Sequence, residues 1–202
     1  MSEPHRVIVG ISGASGAAVG IRIVELLADL KNCELHLVVS AAAERTIALE
    51  VSSEALSRLA GLVHRHHGID EIGATIASGS YQTSGMIVAP CSVRSLSAIA
   101  NGNLDNLLVR AADVHLKERR RLVLLVRETP LHLGHIRSMA QVTEIGAIVA
   151  PLAPAFYLRP RSLDEMIDHM ALRSIALLGI DELRVRVPEW TGGAPGHPNS
   201  LL

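Results

Sequence analysis

The first thirty residues constrain the fold most strongly, because an apolar run leads there into a small-residue turn and then into a helical pattern. Val7 to Ile11 form the run, residues 12–16 read Ser-Gly-Ala-Ser-Gly, and Ile21, Val24 and Leu27 then recur at helical spacing. A buried strand, a tight turn and an amphipathic helix form the repeating unit of a parallel α/β sheet. The opening therefore predicts an open α/β architecture.

The small-residue turn would lie at the carboxyl end of the first strand, where helix N–H groups point at bound anions. Its glycines let a ligand approach the backbone closely, and Ser12 and Ser15 add hydroxyl groups. The glycines fall three apart, unlike the dinucleotide fingerprint, and no P-loop lysine follows Gly16. The phosphate of a mononucleotide fits this turn better than NAD or ATP. Tight packing alone would produce the same pattern, so the turn does not decide the function.

Two further predicted strands also end in serine-rich turns. Residues 34–39 end at Ser40, and residues 86–90 lead into Cys91-Ser92-Val93-Arg94-Ser95. Ser40 fits either a helix N-cap or a ligand contact, and the sequence alone favours the cap. Cys91 fits a packing role better than a nucleophile, because no histidine with a spaced acidic partner accompanies it. Serine-rich turns at several strand ends predict one shared crevice.

Charge and composition exclude several classes of function. The 19 Lys and Arg balance 20 Asp and Glu, so no overall electrostatic footprint for nucleic acid exists. No apolar run approaches the roughly 20 residues of a membrane helix. Cys33 and Cys91 form no disulfide framework, and the first residues lack the apolar stretch of a signal peptide, which together predict a reducing cytoplasm. Hydrophobic residues make up 49% of the chain, more than one small globule requires, which predicts burial between subunits.

The chain length of 202 residues predicts one domain over 1–190, followed by a Gly/Pro/Asn-rich, disordered tail over 191–202. The histidines within residues 64–67 resemble a metal site, but ligands at metal-binding spacing are missing, so a solvated turn is the better interpretation. Glu50 ends a predicted helix, where residue type alone favours an exposed glutamate. Arg110 and Lys117 lie seven residues apart, hence on one helix face.

Six short blocks follow one another in an order typical of a single protein family. They are residues 9–17 (VGISGASGA), 90–92 (PCS), 110–114 (RAADV), 116–120 (LKERR), 127–132 (RETPLH) and 154–157 (PAFY). Together they resemble the UbiX/Pad flavin prenyltransferases, over a stretch from about Arg6 to about Trp190. The resemblance implies a Rossmann-like, flavodoxin-type three-layer α/β sandwich with a mostly parallel sheet.

The resemblance also implies an activity. Members of the family bind FMN and transfer a dimethylallyl group from dimethylallyl monophosphate to N5 and C6 of reduced FMN, without a metal ion. The product, prenylated FMN, serves a UbiD-type decarboxylase. The family further implies a homo-oligomer, a dodecamer, with sites at the junctions between subunits.

The functional residues of the family can be assigned to the positions of this chain that match the family's motifs. The resemblance implies FMN contacts by Gly13, Ala14, Ser15, Ser40, Ser92, Val93, Arg94, Ser95 and Arg127. It implies a substrate-phosphate site made of Arg110 from a neighbouring subunit, Lys117, Arg127, Tyr157 and Arg173. It implies proton handling by Ser15, Glu50 and Glu128.

These residue types suit the reaction that the resemblance implies. A cage of Lys117, Arg127 and Arg173 would hold the charge of the departing phosphate while the C–O bond breaks. Glu50 would take the proton from the flavin C6, and Glu128 would pass a proton to the phosphate. Tyr157 would cover the isoprenyl chain.

Two alternatives from other classes remain open at this point. One is a flavin-dependent decarboxylase of a cysteine-containing substrate, whose catalytic histidine and asparagine motif are not evident here. The other is a non-catalytic FMN-binding subunit of an aromatic acid decarboxylase, which would need no phosphate cage.

Overall fold

The computed structural model describes residues 4–181, which build a single parallel sheet with helices on both faces. The strands lie in the spatial order β3-β2-β1-β4-β5-β6, and every neighbouring pair is parallel. Their bounds are β1 (His5–Ile11), β2 (Cys33–Val39), β3 (Arg65–His67), β4 (Gly85–Cys91), β5 (Leu122–Val126) and β6 (Ile148–Val149). The point where the chain switches from one half of the sheet to the other therefore lies between β1 and β4, with all strands running in the same direction.

Seven α-helices of the described residues cover the two faces. They are α1 (Ala17–Ala28), α2 (Ala41–Glu50), α3 (Ala55–Leu62), α4 (Val93–Asn101), α5 (Leu107–Lys117), α6 (Leu133–Glu144) and α7 (Leu163–Ala176). Helices α1, α2, α3 and α7 pack on one face, and α4, α5 and α6 on the other. Short 3₁₀ turns at Thr75–Ala77 and Phe156–Leu158 complete the described elements.

The strands read as nearly unbroken apolar runs because both of their faces are buried. In β1, Val7, Val9 and Ile11 face the α1 side, whereas Ile8 faces α5, and all four are 0% exposed. Two aliphatic clusters therefore sandwich the sheet. The expected three-layer α/β sandwich is confirmed, and all of its described strands are parallel.

One local prediction was wrong. The histidine-rich segment is not a solvated turn, because Arg65–His67 forms β3 beside β2. His67 is 0% exposed, and its Nε2 lies 3.0 Å from His36 Nδ1. Within β3 only His67 is buried, whereas Arg65 and His66 stay exposed. The expected domain end at 190 and the tail 191–202 lie outside the described residues.

Within residues 4–181, the structure has no helix that is both long enough and apolar enough to cross a membrane.

Helix α1 crosses β4 so closely that Gly20 has no room for a side chain. A Cβ at Gly20 would overlap the backbone oxygen of Ala89, which cannot rotate away. We expect Gly20→Ala to lower the free energy of unfolding by about 1–3 kcal/mol, the usual cost of overpacking. Urea denaturation at a fixed protein concentration measures this change.

Gly61 in α3 provides the matched control, because a Cβ there meets nothing within 4 Å. Gly61→Ala should raise stability by about 0.5–1 kcal/mol, as alanine does inside exposed helices. Equal effects of the two substitutions would contradict the close packing of α1 on β4.

Candidate active site

The carboxyl ends of β1 and β4 mark the point where the chain switches between the two halves of the sheet. After β1 the chain enters α1 on one face, and after β4 it enters α4 on the other, so a crevice opens between the two turns. Ser12, 1% exposed, joins the turns at its base. Its Oγ donates to Pro90 O at 2.9 Å and accepts from Ser92 N at 2.8 Å.

Two further helices begin at the same edge. Ser40 caps α2 by accepting from Ala43 N at 3.2 Å, and Ser92 caps α4 by accepting from Ser95 N at 3.3 Å. A Cβ on Gly13 would overlap the Cβ of Ala42, so the β1–α1 turn lies directly against the start of α2. The N-termini of α1, α2 and α4 therefore converge, and their first N–H groups lack partners within the helices.

The N-terminus of α1 already holds an anion, and that anion is Glu50. Oε2 of Glu50 accepts from the N–H groups of Gly16 and Ala17, both at 2.9 Å, and the Ser15 hydroxyl also hydrogen-bonds the carboxylate. Partial burial raises the pKa of Glu50, but these hydrogen bonds and the charge of Arg127 outweigh it and lower the pKa overall. Glu50 is exposed at the end of α2, as residue type alone suggests, but it is an ionised carboxylate bound to the start of α1.

Arg127 and Glu128 follow β5, the strand next to β4. The backbone N–H of Arg127 donates to Cys91 O at 3.2 Å, which places Arg127 beside the β4–α4 turn. Its charge acts on Glu50, so Ser15, Glu50 and Arg127 form one electrostatic group. The Glu128 carboxylate is half-buried and accepts from Thr129 N at 3.0 Å.

Residues of the predicted FMN-binding segment 92–95 do not all point into the crevice. Ser95 is buried and hydrogen-bonds Ser92, while Val93 is half-buried. The exposed guanidinium of Arg94 forms an ion pair with Asp105. Cys91 is fully buried, and burial raises its pKa to about 12, so it is an inert packing residue.

One chain does not assemble the predicted phosphate cage. Lys117 ends α5, five residues before β5 begins, whereas Arg127 follows the last residue of β5. The five residues of β5 span about 16 Å, so the two cations lie at opposite edges of the sheet. Arg173 lies one turn before Leu177, whose carbonyl accepts from Arg121 at the amino end of β5. A cage within one chain is therefore excluded by the order of the elements.

The other two predicted substrate residues lie nearer the crevice edge. Arg110 is in the first turns of α5, whose Leu107 N–H donates to Ile69 O just after β3, and it pairs with Asp113 at 3.2 Å. Tyr157 is 52% exposed and follows Leu152, whose N–H donates to Val126 O at the carboxyl end of β5. A Cβ on Gly16 would lie 2.9 Å from Leu152 Cδ1, so this loop borders the β1–α1 turn.

Sequence reasoning missed the structural part of Ser12, which joins two turns and is not free for a ligand. It also missed the residues around Lys117, which are described further below. Between residues 4 and 181, no group of three or more His, Cys, Asp or Glu side chains is arranged to hold a metal ion.

The cap that Glu50 forms on α1 predicts a pH-dependent contribution to stability. Because folding lowers its pKa below the ordinary value of 4.5, the ionised carboxylate stabilises the fold above about pH 4.5, and this stabilisation is lost as the pH falls through the folded pKa. Glu50→Gln should lower the free energy of unfolding at pH 7 by about 1 kcal/mol, as for a lost helix cap. The difference from wild type should shrink below pH 4.5.

Glu44→Gln, an exposed carboxylate two turns earlier on α2, is the control for a general charge effect. Urea unfolding across pH 3–7 separates the two variants. An unchanged gap between wild type and Glu50→Gln at all pH values would contradict an ionised cap.

Comparison with known proteins adds independent evidence to this geometry. Residues 1–169 match the family model described as Flavoprotein. The flavin prenyltransferase UbiX of Thauera aromatica is 52% identical over 188 residues, which cover 93% of this chain and 94% of that protein.

Solved structures of similar proteins lead to the same family. AnUbiX (PadA1), solved in complex with FMN and dimethylallyl pyrophosphate, has a TM-score of 0.88 at 42% identity and covers 94% of this chain and 99% of its own. A dodecameric FMN-dependent UbiX-like decarboxylase from Escherichia coli O157:H7 has a TM-score of 0.86 at 39% identity, covering 93% and 100%. The FMN-dependent cysteine decarboxylase TvaF, at 15% identity and a TM-score of 0.62, shares the fold alone.

The crevice at the β1/β4 switch point, the Ser15–Glu50–Arg127 group and the near-complete coverage of these relatives agree with one another. The chain belongs to the UbiX family of flavin prenyltransferases.

Proposed function

We propose that this enzyme transfers a dimethylallyl group from dimethylallyl monophosphate to N5 and C6 of reduced FMN. The observation that carries the proposal is the convergence of Ser15, Glu50 and Arg127 at the switch point of a chain half-identical to flavin prenyltransferases. A cysteine decarboxylase is not favoured, because its structural likeness extends to the fold alone. A non-catalytic flavin-binding subunit is not favoured either, because the near relatives carry the prenyltransferase name.

The converging helix N-termini fit the FMN phosphate. Because Glu50 occupies the N–H groups of α1, the starts of α2 and α4 remain for the phosphate, with the hydroxyls of Ser40 and Ser92 beside them. Gly13, Ala14 and Ser15 would line the flavin ring, and Val93, Arg94 and Ser95 would contribute their backbone. Reduced FMN, when bound, supplies the nucleophilic N5 and C6 positions.

Proton transfer falls to the carboxylates. Glu50, ionised at neutral pH, would accept the proton that leaves C6 as the second bond to the prenyl group forms. Ser15, hydrogen-bonded to Glu50, would hold the carboxylate in place, and Glu128 would protonate the departing phosphate. Arg127 would neutralise charge that develops as the C–O bond of the donor breaks.

The remaining cations would come from neighbouring copies. Lys117 and Arg173 lie at the amino edge of their own sheet, too far from their own Arg127 to share one phosphate, and Arg110 pairs with Asp113 on the surface of α5. We therefore propose a homo-oligomer, a dodecamer, in which Arg110, Lys117 and Arg173 complete the phosphate site of another copy. Tyr157 would then cover the isoprenyl chain.

Exposed apolar side chains support assembly. Leu131, Leu133, Ile136 and Phe156 expose 45%, 58%, 51% and 73% of their surface, and all lie on segments that follow β5. Burial of these side chains between copies would remove that apolar surface from water. We further propose that the product serves a UbiD-type decarboxylase and that the enzyme works in the cytoplasm, which the free thiols of Cys33 and Cys91 support.

The activity test is direct. Incubation with reduced FMN and dimethylallyl monophosphate under anaerobic conditions should yield a flavin whose mass has increased by one five-carbon prenyl group. A parallel incubation with the pyrophosphate identifies the donor. Binding of FMN with no heavier flavin from either donor would overturn the proposal.

Sharing of sites between copies predicts complementation. Glu128→Gln should slow turnover by about 10²–10⁴-fold with FMN still bound, and Lys117→Met should weaken donor binding. At a donor concentration too low for Lys117→Met alone to turn over, assemblies formed from an equal mixture of the two variants should regain about a quarter of wild-type activity, because random mixing pairs intact halves at that frequency.

Each variant assembled alone is the control. If Lys117 served its own chain, no site in the mixture would contain both intact residues, and activity would not return.

A further inference from the structure

Lys117 lies against a loop, residues 78–83, that the proposed reaction does not use. Arg120, three residues after Lys117, holds this loop from the α5 side. Its Nη1 donates to Tyr81 O at 2.7 Å and to Thr83 Oγ1 at 3.3 Å, and its Nη2 donates to Gly79 O at 2.5 Å. The backbone of the loop is thus fixed relative to the end of α5.

The opposite side of the loop is fixed by Tyr81. Its hydroxyl donates to Glu34 Oε1 at 2.6 Å and accepts from His36 Nε2 at 2.9 Å, and the Arg6 guanidinium lies 4.8 Å from the ring centre. Burial raises the pKa of Glu34, but hydrogen bonds from Tyr81 and Arg6 outweigh it and lower the pKa to about 2. Glu34 is therefore a permanent acceptor that anchors the tyrosine.

A third anchor is His115, buried in α5. His115 Nδ1 donates to Ala111 O at 2.8 Å, so its Nε2 accepts from Thr83 Oγ1 at 2.9 Å. Burial lowers the pKa of His115 to about 4, which keeps the ring neutral and its Nε2 an acceptor at physiological pH. Three independent contacts therefore define where the loop passes Lys117.

Gly79 is the point where the loop meets Lys117. The Lys117 ammonium is 2.7 Å from Glu118 Oε1, and this ion pair occupies the space that a side chain at position 79 would take. A Cβ on Gly79 would overlap Glu118 Oε1 and would lie 2.8 Å from Lys117 Nζ. The ammonium therefore has its present place only because residue 79 lacks a side chain.

We propose that Gly79, held by Arg120, is a positioning residue that sets the location of the Lys117 ammonium for donor binding. The inference rests on the proposed role of Lys117 in binding the donor phosphate. A flexible lysine loses rotamer freedom when it binds an anion, and a lysine already held in an ion pair with Glu118, which fits only beside a glycine, loses less. Gly79 thus raises donor affinity without touching the donor.

Gly79→Ala tests the inference, with binding and not turnover as the readout. The atoms that a Cβ would meet are the ends of two long side chains, so the variant should fold and assemble while the ion pair moves. In protein loaded with oxidised FMN, calorimetric titration should show dimethylallyl monophosphate binding about 3- to 10-fold more weakly, with FMN affinity unchanged.

Gly73→Ala is the matched control, a loop glycine where a Cβ meets nothing within 4 Å. Its donor affinity should equal that of wild type. An equal loss in both variants would assign the effect to loop stiffness and overturn the inference.

A double-mutant cycle separates this inference from the proposed function. Lys117→Met should weaken donor binding by about 10- to 100-fold, the loss of one charged hydrogen bond. If Gly79 acts through Lys117, adding Gly79→Ala to Lys117→Met should cause no further loss. No effect of Lys117→Met would refute the proposed phosphate site, whereas additive losses would refute the positioning role of Gly79 alone.

Arg120→Lys provides a second route if Gly79→Ala does not assemble. A single ammonium at position 120 cannot replace the planar guanidinium in all three contacts to the loop. Binding of dimethylallyl monophosphate should therefore weaken when Lys117 is intact and stay unchanged when Lys117→Met is also present. Full donor affinity in Arg120→Lys would overturn the inference.

Discussion

The hydroxyl of Ser12 holds together the two turns on which the whole site depends. Pairing between β1 and β4 ends at Gly10 and Val88, and beyond this point the chain must diverge to helices on opposite faces. Ser12 bridges the divergence with one donated and one accepted hydrogen bond. Without a side chain of this length and polarity, the Ser92 N–H at the base of the crevice would lose its partner, at a cost of about 1–3 kcal/mol, and Pro90 O would keep only the bond from the Ser12 N–H.

Glu50 changes the electrostatics of the crevice above Ser12. A helix N-terminus attracts anions, and three of them converge here. By placing its own carboxylate on α1, the protein neutralises one helix start and leaves the other two for a ligand. The same contact keeps Glu50 ionised, which is the state that its proposed role as a proton acceptor requires.

Much of the fold followed from local sequence. Continuous apolar runs such as Leu122–Val126 predicted buried parallel strands, and the serines after them predicted the crevice edge. The cap of Glu50 on α1 was not predictable, because Glu50 and Gly16 are 34 residues apart and meet only through the packing of α2 on α1. The burial of His67 was missed for a related reason, since three residues are too few to show strand alternation.

The position of Lys117 is a different case, because the order of helices and strands in the sequence already determines it. In a parallel α/β fold every helix that precedes a strand ends at the amino edge, so a residue before β5 cannot meet a residue after it. The resemblance to a family placed Lys117 and Arg127 in one cage, and the order of elements separates them within one chain.

If the groups for one reaction lie at opposite edges of the sheet, each polypeptide carries two different half-sites and no complete active site. In an open row of subunits one half-site at each end would remain without its counterpart, whereas a closed assembly pairs every half-site. The number of working sites would then equal the number of chains only after closure. Dilution would therefore reduce the specific activity of each molecule as well as the concentration of enzyme, and catalysis would become a property of the assembled particle.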